Sequence, residues 1–321
     1  MLLQLLLLIV GFIFLIKGAD WLIAGASSTA ANFKVSKQLI GLTIVAFGTG
    51  APELAVSISS LASGNTDMLL GNVIGSNIVN ILLLIGIAAT IHPIKINKNT
   101  ISKELPMLLL ISTILIVLFL DTSIIGSISN SIDRSDALIC ILFFAVFIYY
   151  IFSMARKNRK EKKTVEKPAY KLGKSLLLII IGLAGVIAGS QLVVNSASTI
   201  AAAIGITDRI IALTVVAFGT SLPELVTTIT AARKNEHELL VGNIIGSNIF
   251  NICIVLGIPV AIFGSITPES FEIIDLIMLI GSAVILWLVA RTDTKVTRKE
   301  GLLMLAIFAI YYSYIIYGAL A

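Results

Sequence analysis

The chain has 321 residues, 57% of them hydrophobic and 13% charged, a net charge of +5 and a mean hydropathy of +1.03. That balance excludes a soluble globular domain, and apolar runs of helical length recurring from end to end exclude the short alternating strands of a β-barrel. The basic residues lie between the apolar runs, so the charge reports membrane orientation and gives no ground for a nucleic-acid partner.

Taken in chain order, the runs predict ten transmembrane helices, over roughly 2–30, 39–63, 68–92, 105–120, 137–154, 176–203, 209–231, 239–264, 273–290 and 302–320. The first lacks a basic leader and carries Lys17 on its C-terminal side, so it reads as a retained helix and not as a cleaved signal. Cys140 and Cys253 lie in apolar runs of different halves and read as small buried hydrophobes. Asp20 reads as an interfacial or helix-packing residue, and His92 and His237 as surface residues near span ends.

Twenty of the 23 basic residues fall on one set of alternate connections, around Lys34 and Lys37, Lys95 to Lys103, Arg156 to Lys174, Arg233 and Lys234, and Arg291 to Lys299. The other set carries Asp67, Asp121, Asp133, Asp136, Asp208, Glu269, Glu272 and Asp275. The positive-inside rule then puts the basic side in the cytoplasm and both termini outside.

One stretch occurs twice. LTIVAFGTGAPEL from Leu42 and LGNVIGSNIVN ending at Asn80 return as LTVVAFGTSLPEL from Leu213 and VGNIIGSNIFN ending at Asn251. The same offset pairs Gly11 with Gly182, Gly18 with Gly189 and Ser27 with Ser198. The expected domains are therefore a five-helix repeat over 1–154, a cytoplasmic basic linker over 155–175, and a second five-helix repeat over 176–321. Five is odd, so the second copy enters the membrane inverted, an arrangement typical of transporters with a midplane site.

Each copy places a carboxylate after a proline at membrane depth, Pro52-Glu53 and Pro223-Glu224. Proline breaks the helical ladder and is expected to free carbonyls over Ala46 to Thr49 and Ala217 to Thr220. Thr49 and Thr220 stand one turn before their glutamates, and the partner helices add Ser76 and Asn80, and Ser247 and Asn251. Gly71 and Gly75, like Gly242 and Gly246, are spaced for close helix contact. Broken helices 2 and 7 packed on helices 3 and 8 thus give an all-oxygen ligand set without His or Cys, suited to hard cations. Two buried carboxylates with no basic residue in the motifs need a divalent cation, several monovalent cations or protons to neutralise them.

With these motifs the chain resembles the sodium/calcium exchanger family of the cation/Ca2+ exchanger superfamily, over both repeats. The resemblance implies an all-α integral membrane antiporter that exchanges Na+ for Ca2+ by alternating access, with the long first helix of each half sliding as a gate. It implies Glu53 and Glu224 as principal ligands, Thr49 and Thr220 through carbonyls, Ser76, Ser247 and Ser221 through hydroxyls, Asn80 and Asn251 at the centre, and Ala46 and Ala217 through carbonyls at flanking Na+ sites. Ca2+ and Na+ are cargo, with no cofactor; the expected surroundings are membrane lipid, with no nucleic acid and no obligatory protein partner.

The first repeat departs from the family pattern in having Gly50 where the second has Ser221. Asn251 stands where several relatives have Asp, which weighs against K+ cotransport. Ca2+/H+ antiport is the alternative reading, and an intramembrane metal-dependent enzyme the less favoured one, because no further polar or basic residues stand near the glutamates.

Overall fold

The computed structural model describes residues 2–120, 130–160, 167–204, 217–267 and 273–320. Helices account for most of them: α1 (Leu2–Phe33), α2 (Lys37–Thr49), α3 (Ala51–Ala62), α4 (Thr66–Ile91), α5 (Thr100–Phe119), α6 (Arg134–Lys160), α7 (Leu172–Ala203), α8 (Ala217–Thr220), α9 (Leu222–Arg233), α10 (His237–Phe263), α11 (Ile273–Asp293) and α12 (Arg298–Leu320). Among the described residues, eight are long and apolar enough to cross a membrane by themselves, and α2 with α3, bent by 42°, makes a ninth span. The first part of the expected span over 209–231 lies outside the described residues, as do Asp121, Asp208, Glu269 and Glu272.

Several helices start earlier than hydropathy predicts, because polar caps open them. Thr297 and Glu300 form a reciprocal capping box at the head of α12, with Glu300 Oε2 accepting from Thr297 N at 2.7 Å. Asp133 caps α6 in the same way, accepting from Ser135 N and Asp136 N, while Asp136 accepts from Asp133 N. Helix α6 continues through the charged but helix-favouring Arg156–Lys160 stretch, and α7 begins at Leu172.

Helices α1 and α7 have 32 residues each. At 1.5 Å per residue each is about 48 Å long against a hydrocarbon core of about 30 Å, long enough to span it with some tilt and to extend past it. They run antiparallel along one another. A Cβ added at Gly11 would meet Val193 N at 3.0 Å, one at Gly18 would meet Val186 N at 2.7 Å, and one at Gly25 would meet Ile179 N at 2.9 Å. Glycine lets the two backbones touch over three successive contacts.

Helices α2, α3, α4, α5, α6 and α9 pack around α10, whose side chains are nearly all buried, while α11 and α12 pack on α4. Exposed Leu, Ile and Phe residues concentrate on peripheral helices such as α1 and α6, where a lipid solvent makes them favourable. At one end of the molecule, β1 (Ile94–Lys95) pairs antiparallel with β2 (Lys295–Val296), and Lys37 meets Glu236 at 2.9 Å. The Ile132–Ile266 bridge joins two connections of the other set. Basic-side connections therefore meet one another, as the alternation of spans requires.

Asp20 takes a packing role: it pairs with Lys234 at 2.7 Å, both partly exposed. Such a pair is weak, and Lys234→Gln is expected to change stability by less than about 1 kcal/mol in a thermal melt. His92 and His237 are not isolated surface residues; their rings pack 5.3 Å apart. Both cysteines are buried and free.

Candidate functional site

The proline break is where the sequence places it. Gly50 separates α2 from α3, with Pro52 in the first turn of α3, and Ser221 separates α8 from α9, with Pro223 in the same place. Pro52 has no N–H to offer Gly48, but the Ala46 carbonyl stays in the ladder, accepting from Gly50 N at 3.0 Å. Of the four carbonyls expected to be free, that of Ala46 is therefore engaged, and the ladder resumes past the proline with Leu54 N donating to Gly50 O at 3.2 Å. A carbonyl oxygen has a second lone pair, so Ala46 keeps one free for a cation.

Both carboxylates are buried, Glu53 and Glu224 at 1% exposure each, and they are close enough to feel one another's charge. Around them Thr49, Ser76, Asn80, Ser221, Ser247 and Asn251 are buried as well. Thr220 belongs to α8, just before the Ser221 break. Ala46 is fully buried, and Ala217 begins α8.

The set is notable for what has no partner. Glu53 Oε2, both Glu224 carboxylate oxygens, Asn80 Oδ1, Asn251 Oδ1 and Ser247 Oγ are all buried without a hydrogen bond. Buried polar atoms are ordinarily satisfied, and an orphan costs about 1–3 kcal/mol, more when charged. Six unpartnered oxygens lie in one motif pair, five of them carboxylate or amide oxygens that can only accept. Among the described residues no three His, Cys, Asp or Glu side chains gather, so the chemistry is two carboxylates plus neutral oxygens.

Backbone and packing hold these groups in place. Asn80 and Asn251 stand in segments of wider, π-helical turn, Val79–Ile85 and Asn251–Leu256, a deviation often found at functional positions. The first half of the broken helix lies against α10: a Cβ at Gly242 would fall 2.4 Å from Gln38 O, and one at Gly246 would fall 2.6 Å from Leu42 O. Gly71 and Gly75 show no such contact among the described residues. The residues one repeat after Gln38–Ala46 lie, all but Ala217, outside the described residues.

Three asparagine side chains that sequence reasoning passed over, with the main-chain carbonyl of a fourth asparagine, brace the cluster. Asn248 Oδ1 accepts from Asn80 Nδ2 at 3.0 Å, which turns the Asn80 amide oxygen away and leaves it free. The Asn248 amide approaches Asn77 O at 3.5 Å. Asn72 Nδ2 donates at 3.0 Å to Glu53 O and to Ser57 Oγ, tying α4 to the turn that carries the glutamate. Asn243 lies 3.5 Å from the Thr49 hydroxyl. Their signal was available, since Asn72 and Asn77 repeat as Asn243 and Asn248 inside the duplicated stretch.

A third buried carboxylate was also missed. Glu104 is fully buried at the head of α5 and accepts a short hydrogen bond from Tyr150 on α6. Its counterpart one repeat later is Asp275, which accepts from Tyr311 of α12 at 2.7 Å. These pairs staple the fourth span of each half to the fifth, well outside the motif cluster.

The model of the family described as sodium/calcium exchanger protein matches residues 3–153 and 174–317. CaxA of Alkalimonas amylolytica is 35% identical, over 99% of this chain and 100% of its own. Sodium/calcium exchanger MaX1 of Methanosarcina acetivorans is 29% identical, over 95% of this chain and 96% of its own. Among solved structures, the sodium-calcium exchanger NCX_Mj soaked with 2.5 mM Na+ and 0.1 mM Ca2+ superposes with a TM-score of 0.82 at 33% identity, covering 97% of this chain and 98% of that one.

Proposed function

The chain belongs to the sodium/calcium exchanger family, a family of multi-pass membrane transporters, and from that premise we propose that it exchanges Na+ for Ca2+ across the cytoplasmic membrane. The observation that carries this reading is the buried cluster of unpartnered oxygens around Glu53 and Glu224. Two carboxylates facing one another without a basic partner are tolerable only when cations neutralise them. One Ca2+ balances both charges and takes six to eight oxygens at about 2.3–2.6 Å; Na+ ions can take the same oxygens in its place. A site that must be filled, and that two cations can fill, couples their movements.

In this proposal Glu53 and Glu224 bind both ions. Asn80 and Asn251 supply amide oxygens, Ser76, Ser247 and Ser221 hydroxyls, Thr49 and Thr220 carbonyls, and Ala46 and Ala217 carbonyls at flanking Na+ positions. The two five-helix repeats over 1–154 and 176–321 are inverted copies, the basic connections face the cytoplasm and both termini face outward. Hydroxyl and amide oxygens favour Na+ over H+ as the coupling ion, because a proton needs no coordination shell.

The bracing asparagines give a graded expectation. Asn248→Ala removes the donor–acceptor pair that orients Asn80, a loss of about 1.4 kcal/mol or tenfold in Ca2+ affinity, measured by calcium titration of the purified protein. Coupling is tested in proteoliposomes loaded with Na+, with K+, or with an imposed pH gradient. Na+-driven Ca2+ uptake is the expected result. Uptake that follows the pH gradient and ignores Na+ would make this a Ca2+/H+ exchanger instead.

A further inference from the structure

The two copies of the motif are alike in nearly every ligand position, and beside the Ala51–Leu222 difference they differ sharply in two places that meet. Gly50 stands opposite Ser221, and Val79 opposite Phe250. In sequence these differences are unrelated; they sit in different halves and on different helices. In the structure they are one contact. A Cβ added at Gly50 would lie 3.0 Å from Phe250 Cδ1 and 3.3 Å from Cε1.

Nor is the ring free to step aside. Phe250 is nearly buried, stacks on Phe47 at 5.1 Å with an interplanar angle of 24°, and meets Phe144 edge-on at 6.1 Å. A side chain at position 50 would press against an aromatic cluster that is already packed. Ser221, buried at 3% exposure, keeps the hydroxyl in the second copy, where the repeat partner of Phe250 is the smaller Val79.

We infer that Phe250 determines the ion stoichiometry, by filling with an apolar ring the place of one hydroxyl and so deleting one monovalent-ion position on the first-repeat side. The inference rests on the Na+/Ca2+ exchange proposed above. Two Na+ suffice to balance Glu53 and Glu224. A further Na+ would put an uncompensated positive charge in a low-dielectric interior, and it needs neutral oxygens around it. The hydroxyl at Ser221 can contribute such an oxygen; Gly50 and a phenyl ring cannot. Exchange then moves two Na+ against one Ca2+ and carries no net charge, whereas a cage with hydroxyls on both sides would take one more Na+ and be voltage-driven.

The test is the Ca2+ gradient that a fixed Na+ gradient sustains at equilibrium in proteoliposomes, with the membrane potential clamped by K+ and valinomycin. At zero potential a tenfold Na+ gradient should hold a Ca2+ gradient of about 100-fold, unchanged when the potential is shifted. The double variant Gly50→Ser with Phe250→Val should hold about 1000-fold and respond to potential. A wild-type gradient near 1000-fold that moves with potential overturns the inference without any variant. A double variant that folds and keeps the wild-type ratio overturns the assignment to Phe250. A wild type in which Na+ moves no Ca2+ at all overturns the exchange reading itself, a result distinguishable from either ratio.

Discussion

Replacing Glu53 or Glu224 with glutamine is expected to lower Ca2+ transport by at least about 100-fold while leaving the protein folded. Two unit charges about 4 Å apart interact by about 4 kcal/mol at an effective dielectric near 20, and Ca2+ carries twice the charge. Losing even part of that exceeds the roughly 2.7 kcal/mol that corresponds to 100-fold. Glutamine keeps the size and one acceptor oxygen of the buried side chain, so packing around the α2–α3 and α8–α9 turns is preserved. It also removes one of two facing charges, so in ion-free buffer neither variant should melt below the wild type. A variant that transports at near-normal rate removes its residue from the site, and one that fails to fold is distinguished by the melt.

The second large effect concerns a residue that touches no ion. Gly242→Ala is expected to destabilise the protein by about 1–3 kcal/mol and to abolish transport. Its Cβ would fall 2.4 Å from Gln38 O and 3.0 Å from Leu42 N. Both obstacles are backbone, so no rotamer change relieves them and α2 must move away from α10. That movement shifts Ala46 and Thr49 against Ser247 and Asn251, which are carried by those two helices. Gly281→Ala is the matched control. Among the described residues nothing lies within 4 Å of a Cβ there, and alanine in place of a helical glycine should be neutral or stabilising by about 0.5–1 kcal/mol. Equal melting temperatures for Gly242→Ala and wild type would show that the α2–α10 contact is not needed.

The motif cluster was legible in sequence because its chemistry is local. A Pro-Glu pair in the middle of an apolar run marks a helix break, and duplication marked the positions that matter. The close approach through Gly242 and Gly246 followed from spacing in the same way. Helix starts were less legible, since the Thr297–Glu300 and Asp133–Asp136 boxes extend α12 and α6 into stretches that hydropathy leaves to the connections. Glu104 escaped notice because a carboxylate at a predicted span end looks like an interfacial one until Tyr150 is seen against it. The contact between Gly50 and Phe250 joins residues 200 positions apart, and no periodicity encodes it.

The central claim is that the two inverted motifs build one shared cation cage. Calorimetric titration of the purified, ion-free protein with Ca2+, in the absence and presence of Na+ or K+, tests it most directly. One Ca2+ should bind per chain, Na+ should weaken it competitively while K+ at the same ionic strength does not, and either Glu53→Gln or Glu224→Gln alone should remove the binding. Two independent Ca2+ ions per chain, or full Ca2+ binding that persists when one glutamate is replaced, would contradict a single cage.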